Sequence, residues 1–214
     1  MFPVPFDIII EIVPLVTDLL YLKSLKKSIL FFLLLLLCLT AITELTGRYL
    51  IHVLHKPNAW LYNIFMSVEF IVYAYIFYKT YVALIYKRIV RLFICAFPVL
   101  VFLNIVFFQG LRLFDSYTAG LGSFCIILFS CFYFYDLLQQ KEKLNLLKTP
   151  MFWFSIGILF FYSGDIIFTL FSNLAIRSRI QYWSFFRDKL IILLYTCFTL
   201  VFICSKPETR RSLI

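Results

Sequence analysis

The sequence predicts an all-α fold, a polytopic membrane bundle of seven transmembrane helices. The first observation is composition: 63% of the residues are hydrophobic and only 14% are charged, whereas soluble domains carry about 25% charged residues. The second is the length of the apolar runs, because SILFFLLLLLCLTAI, which starts at Ser28, is too long and leucine-rich for a half-buried strand. No run alternates as the strands of a membrane barrel do. With few glycines and prolines to form loops, we expect one domain covering residues 1–214.

Seven segments have the length that a transmembrane helix requires, which is about 20 residues for a hydrocarbon core about 30 Å thick. They are 4–22, 28–51, 60–83, 90–109, 116–138, 150–173 and 182–204. The first is the least regular, because Asp7, Glu11, Pro14 and Asp18 form a polar stripe on one helical face. Two interpretations remain for it. It spans the membrane with the stripe facing the bundle, or it lies flat as an interfacial amphipathic helix, which leaves six spans.

Basic residues are distributed unequally between the two ends of these segments. Thirteen of the twenty lie at one set of ends: Lys23, Lys26, Lys27, Lys79, Lys87, Arg88, Arg91, Lys141, Lys143, Lys148, Lys206, Arg210 and Arg211. The positive-inside rule assigns that side to the cytoplasm, so the N-terminus is predicted outside and the C-terminus inside. The formal charge of +9 largely reflects this asymmetry. We therefore expect the lipid bilayer, with its anionic headgroups, as the partner of these charges, and no nucleic acid.

Polar and ionisable side chains gather in one layer, at mid-membrane or in the outer half. The members are Glu44, Arg48, Asn63, Glu69, Asn104, Asp165, Arg187 and Asp188. Such residues normally face the bundle interior or a water-filled cavity. One interpretation is an outward-facing polar pocket. The other is structural: ion pairs Glu44–Arg48 and Asp165–Arg187, with the remaining groups hydrogen-bonding neighbouring helices.

No residue of the sequence can be assigned a catalytic role, and no cofactor is expected. His52 and His55 are three residues apart and could bind a metal with Glu44 or Asp165, but a zinc hydrolase needs three protein ligands and a water molecule. The same pair also suits a hydrated loop. Glu69 and Asp165 could instead act as acid and base on a lipid. Whether the chain is an enzyme stays open.

Three stretches carry a resemblance to a known family: WLYNIFMSVEFIVYAYIFY, SYTAGLGSFCIILFSCFYFYDLL and TPMFWFSIGILFFYSGDIIF. Together they resemble an uncharacterised family of small seven-helix membrane proteins of Bacteroidota-type bacteria, over nearly the whole chain. The positions carried over are Tyr62, Asn63, Glu69, Phe70, Pro150, Phe152, Trp153 and Gly157. The resemblance implies the architecture and a location in the bacterial cytoplasmic (inner) membrane, and it brings no assigned activity.

Three functions fit these features. A sensor or receptor would bind a small molecule or lipid in the outer half and act through a membrane or cytoplasmic signalling partner, since the loops are too short to form an output domain. A membrane-embedded lipid hydrolase would use the carboxylates, and a small proton-coupled transporter would relay protons through them. The direction in which the carboxylates face discriminates among them. Carboxylates about 5 Å apart favour hydrolysis, a continuous polar track favours transport, and a closed inner half favours sensing.

Overall fold

The computed structural model describes residues 28–110, 113–139, 145–178 and 182–205, with the side chains of 28–29 and 171–186 excepted. This part of the chain forms α-helices and contains no strand. The helices are α1 Ser28–His52, α2 Ala59–Thr80, α3 Leu84–Asn104, α4 Ser116–Leu138, α5 Pro150–Ser178 and α6 Tyr182–Cys204. A π-helix, Ile105–Gln109, continues α3, and a 3₁₀ turn, Leu146–Lys148, precedes α5.

The prediction of an all-α membrane protein is confirmed for the described residues. Five helical stretches are long and apolar enough to cross a membrane: Leu30–His52, Ala59–Thr80, Leu84–Gln109, Ser116–Leu138 and Pro150–Leu170. Helix α6 is not among the five, and its first two turns carry Arg187, Asp188 and Lys189. The predicted segment 4–22 lies outside the described residues. The chain is therefore a multi-pass membrane protein, and the total of seven spans stays a prediction.

The turn between α2 and α3 differs from the predicted boundaries, which left residues 84–89 outside any helix. Helix α2 ends at Thr80 because Tyr81 adopts an extended backbone (φ −61°, ψ 143°), and α3 begins at Leu84. Lys87 and Arg88 therefore lie within the first turns of α3. Long basic side chains can bury their methylene stems and still place the charge in water. Charged residues can therefore lie inside the first turns of a membrane helix, and they do not show where the helix begins.

Helix α2 is the centre of the packing, with contacts to α1, α3 and α4, while α5 packs most extensively on α4 and α6. Aromatic side chains extend the contacts of α2 to α5 and α6. We call Tyr73, Phe77, Phe129, Phe154 and Phe198 the aromatic layer; each is at most 3% exposed. Ring centroids are 5.5 Å apart for Phe77 and Phe154, and 5.9 Å apart for Phe154 and Phe198. The layer fills the half of the bundle next to the C-terminal end of α2.

Tyr81 links the short α2–α3 turn to α4. Its buried hydroxyl donates a hydrogen bond to the carbonyl of Phe129 (2.5 Å), and the neighbouring Val82 N–H donates to the carboxylate of Asp136 (3.3 Å). Burial, reinforced by the charge of Asp136, raises the pKa of Tyr81 well above its ordinary value of 10.0. The folded chain therefore holds this phenol in its neutral form.

Replacing Tyr81 by phenylalanine is expected to lower the free energy of unfolding by about 1–2 kcal/mol at neutral pH. Below pH 10 Tyr81 is neutral in both the folded and the unfolded chain, and its contribution to stability is complete. Above pH 10 the unfolded chain loses the Tyr81 proton while the raised pKa keeps the folded chain neutral, so the contribution declines as the pH rises. Unfolding in detergent at pH 7, 9 and 10.5 measures this difference. Tyr135→Phe, at an exposed position, is the matched control and should be neutral. A difference between wild type and Tyr81→Phe that stays constant with pH would contradict the assignment.

Candidate polar ligand site

Side chains from three helices meet on the side of the aromatic layer that faces the N-terminal end of α2. We call Glu69 on α2, Tyr162, Asp165 and Thr169 on α5, and Arg187 on α6 the Glu69 cluster. The α5 members are three and four residues apart and share one helical face. Glu69 lies ten residues after the start of α2, which is about 15 Å along the helix axis. The cluster thus lies well inside the apolar part of the bundle.

The carboxyl group of Glu69 is incompletely satisfied. Its Oε1 accepts a hydrogen bond from the Tyr73 hydroxyl at 3.0 Å. The Tyr162 hydroxyl interacts with the same carboxyl group but makes no hydrogen bond of normal geometry. Among the described residues, no donor of such geometry reaches Oε2. Tyr162 is only 3% exposed, whereas Glu69 retains partial accessibility.

Asp165 and Arg187 form an ion pair across α5 and α6, with Nε and Oδ1 3.4 Å apart. The Thr169 hydroxyl donates to the other carboxylate oxygen, Oδ2, at 2.9 Å, and Oδ1 accepts no hydrogen bond. Gly164 permits the close helix contact, because a Cβ there would lie 2.6 Å from Cδ1 of Leu190. Asp165 is buried, but more than half of the Arg187 side chain is exposed. The guanidinium is therefore the accessible partner of a buried carboxylate.

A second polar group joins α1 to α2. The Tyr62 hydroxyl donates to Oε2 of Glu44 at 3.1 Å, and Nε of Arg48 lies 3.9 Å from the same oxygen. Gly47 makes the contact feasible, since a Cβ at this position would lie 2.8 Å from the Tyr62 hydroxyl oxygen. Arg187 interacts electrostatically with both Tyr62 and Glu69. The Arg187 guanidinium therefore lies near both groups, and it forms its ion pair with Asp165.

Asn63 belongs to a separate network that ties the α3–α4 connection to α2. Its Nδ2 donates to the Leu113 carbonyl (3.0 Å), and its Oδ1 accepts from the Asp115 N–H (2.9 Å). Asn104 donates to the carboxylate of Asp115 and to Oε1 of Gln109, the latter at 2.9 Å. Asn63, Asn104 and Asp115 are all buried and paired. This network holds the α3–α4 connection against α2.

The predicted site residues thus divide among several places. Both predicted ion pairs, Glu44–Arg48 and Asp165–Arg187, are present. Asn63 and Asn104 lie in the separate network, and Asp188 is partly buried next to Arg187 along α6. His52 and His55 are exposed at the C-terminal end of α1. Within the described ranges, no three His, Cys, Asp or Glu side chains gather as a metal site would require.

The predicted site residues did not include Tyr62, Tyr73, Tyr162, Thr169 or Asp115. Tyr62, Glu69 and Tyr73 are seven and four residues apart, so helical spacing already places them on one face. The stretch DSYT also carries a helix-start signal, because Asp115 precedes α4 and accepts a hydrogen bond from the Thr118 N–H at 3.3 Å. Both signals are present in the sequence.

No protein-family model, curated protein or solved structure matches the chain. Function is therefore inferred from the chemistry of the Glu69 cluster. Its two carboxyl groups, its guanidinium and the hydroxyls of Tyr162 and Thr169 can bind a cation, exchange a proton or hold a polar headgroup.

Proposed function

We propose that this chain is a receptor-like, seven-helix protein of the bacterial cytoplasmic membrane. It binds a small molecule or a lipid at the Glu69 cluster and acts through a membrane or cytoplasmic partner. In this proposal the N-terminus is outside, the C-terminus is cytoplasmic, and residues 4–22 supply the first span. The resemblance to the Bacteroidota-type family is part of the proposal and supports its architecture.

The aromatic layer is the observation that carries the proposal. It lies directly beyond the Glu69 cluster, and Tyr73 takes part in both, with its hydroxyl on Glu69 and its ring 5.8 Å from that of Phe154. Transport needs a polar path through the bundle, whereas these rings are buried and packed on one another. A polar site that is closed on the side of the aromatic layer favours sensing over transport.

The short connections favour action through a partner. Only three residues, Tyr81, Val82 and Ala83, join α2 to α3 on the predicted cytoplasmic side. The α4–α5 connection includes the 3₁₀ turn Leu146–Lys148, whose Leu147 carbonyl accepts from Nε1 of Trp153 at 2.9 Å. Segments this short cannot fold into an output domain. A second protein would therefore read the state of the bundle.

Lipid hydrolysis is the second candidate. Glu69 and Asp165 lie on facing helices and interact electrostatically. Two such carboxyl groups could divide the roles of acid and base on an ester. Release of fatty acid from lipid by the purified protein, lost in Glu69→Gln and Asp165→Asn, would replace the receptor proposal.

Labelling of single cysteines in a cysteine-free background tests the one-sided site. Met66→Cys, one turn from Glu69 on the same face, should react with an impermeant maleimide added outside intact cells. Ser155→Cys is the matched control, a nearly isosteric change at a fully buried position beside Phe154 in the aromatic layer. It should stay unreactive from either side and react only after denaturation.

Two loop positions fix the orientation in the same experiment. Lys56→Cys should react from outside, and Lys143→Cys only in inverted vesicles. Reaction of Lys143→Cys from outside would reverse the proposed topology. Reaction of Ser155→Cys in inverted vesicles would show water beyond the aromatic layer and would favour transport.

A further inference from the structure

We propose that the ligand of the Glu69 cluster carries a primary ammonium group. This inference rests on the proposed function and specifies its ligand. Charge is the first observation: Glu44, Glu69 and Asp165 place three carboxylates near two guanidinium groups, Arg48 and Arg187. Glu44 and Asp165 each have a guanidinium partner. Glu69, when ionised, has no cation of its own among the described side chains and is offered only hydroxyl groups.

Unused hydrogen-bonding atoms are the second, independent observation. The Tyr162 hydroxyl and Oδ1 of Asp165 are buried and make no hydrogen bond of normal geometry. Each belongs to a residue that is less than 10% exposed. Both belong to the face of α5 that interacts with Glu69. Buried polar atoms without partners are rare in native structures, and a ligand is one reason for them.

The number of available acceptors indicates the type of cation. Oε2 of Glu69 and the Tyr162 oxygen accept no hydrogen bond of normal geometry from the described residues, and Oδ1 of Asp165 has only the ion pair with Nε of Arg187 at 3.4 Å, which leaves three acceptors for a ligand. A primary ammonium has three N–H donors and no acceptor, so it matches them one to one. A quaternary ammonium carries the same charge without a donor. An anion would be repelled by Glu69, and an alcohol would supply no charge.

A primary ammonium can reach the cluster from two sources. It can belong to a soluble amine entering from the outer side, or to the headgroup of an aminophospholipid such as phosphatidylethanolamine. Either source presents the same group to Glu69. The experiment therefore contains one arm for each source.

The soluble arm uses the full-length protein in phosphatidylcholine nanodiscs at pH 7, titrated with hexylamine. Hexyltrimethylammonium and hexanol are matched probes, because they keep the tail and remove the donors or the charge. Binding is measured by calorimetry and by the shift in thermal unfolding. Hexylamine should bind at least about tenfold more tightly than either matched probe, since it alone forms charge-assisted hydrogen bonds.

Variants locate the binding. Glu69→Gln should weaken hexylamine binding by at least about tenfold. Tyr162→Phe removes a hydroxyl that makes no hydrogen bond, so the unliganded protein should unfold at an unchanged or higher temperature while hexylamine binds about fivefold more weakly. Asp136→Asn, a carboxylate at the opposite end of the bundle that accepts from Val82, is the control and should bind normally.

The lipid arm compares nanodiscs of phosphatidylcholine alone with nanodiscs containing phosphatidylethanolamine. If the headgroup is the ligand, phosphatidylethanolamine should raise the unfolding temperature of wild type but not of Glu69→Gln, and should compete with hexylamine. An effect of hexylamine without competition by the lipid would identify a soluble amine.

Equal binding of hexylamine and hexyltrimethylammonium would overturn the inference, as would normal hexylamine binding by both Glu69→Gln and Tyr162→Phe. Absence of any lipid or hexylamine effect in a protein whose Met66→Cys variant reacts from outside would reject the ammonium ligand and leave the receptor proposal standing. If Met66→Cys is unreactive from outside but hexylamine binds tightly and depends on Glu69, the ammonium ligand stands and the receptor proposal is rejected.

Discussion

Replacing Asn63 by alanine is expected to lower the free energy of unfolding by about 2–4 kcal/mol. The change leaves the Leu113 carbonyl and the Asp115 N–H without their partner at a position that is 1% exposed. The N–H of the buried Asp115 costs about 1–3 kcal/mol when it lacks a partner, and the carbonyl of Leu113, an exposed residue that water can reach, adds about 1 kcal/mol. Thermal or denaturant unfolding in detergent measures the loss.

Ser67→Ala is the control for that variant. Its hydroxyl donates to the Asn63 carbonyl within the same helix at 2.8 Å, so its removal leaves no backbone group of another element unpaired. It should change stability by less than about 0.5 kcal/mol. Equal losses in the two variants would show that the Asn63 network does not hold the connection in place.

Replacing Arg187 by methionine is expected to destabilise the bundle by about 1–3 kcal/mol. Asp165 would then be a buried charge with only Thr169 as a described hydrogen-bonding partner. Breaking a fully buried pair costs about 3–5 kcal/mol, and the exposure of Arg187 reduces that figure. The unfolding of the single variants Arg187→Met and Asp165→Asn and of the double variant gives the coupling free energy.

The double variant should be more stable than Arg187→Met, because asparagine removes the charge that lacks a partner. Arg48→Met is the matched control, since its carboxylate partner Glu44 is partly exposed and also accepts from Tyr62. It should cost less than about 1 kcal/mol. Additive effects of the Arg187 and Asp165 changes would mean that the pair contributes nothing to stability.

Counting residues along the helices was enough to pair Asp165 with Arg187, but it did not predict how each polar residue is rotated about its helix axis. Depth follows from counting residues at 1.5 Å each, so Asp165 and Arg187 could be paired before their contact was known. Asn63 and Glu69 lie on the same helix six residues apart, yet they enter different networks. Which neighbour each one meets depends on close helix contacts such as Gly47 with Tyr62 and Gly164 with Leu190. Those contacts are properties of the packed bundle.

Helix ends were predicted to within a few residues where the sequence has a polar turn, and less well elsewhere. The segment after Thr80 reads as continuous apolar chain to Ile85, so hydropathy alone could not place the three-residue turn at Tyr81. The hydrogen bond from Tyr81 to Phe129 holds that turn, and it joins residues 48 positions apart. A contact at such sequence separation leaves no local signature.

Phe154 packs in the aromatic layer close to the N-terminal end of α5, so the parts of the helix on its two sides differ in length. From the pivot at Phe154, the arm to Asp165 is eleven residues, or about 16 Å, and the arm to Pro150 is four residues, or about 6 Å. A tilt that moves Asp165 therefore moves the far end in the opposite direction and by less than half as much. The Leu147 carbonyl, which accepts from both Trp153 and Cys204, fastens that short arm to the end of α6. In the proposed receptor, the displacement offered to a partner would therefore be small, shared by two helix ends, and opposite in direction to the motion at the Glu69 cluster.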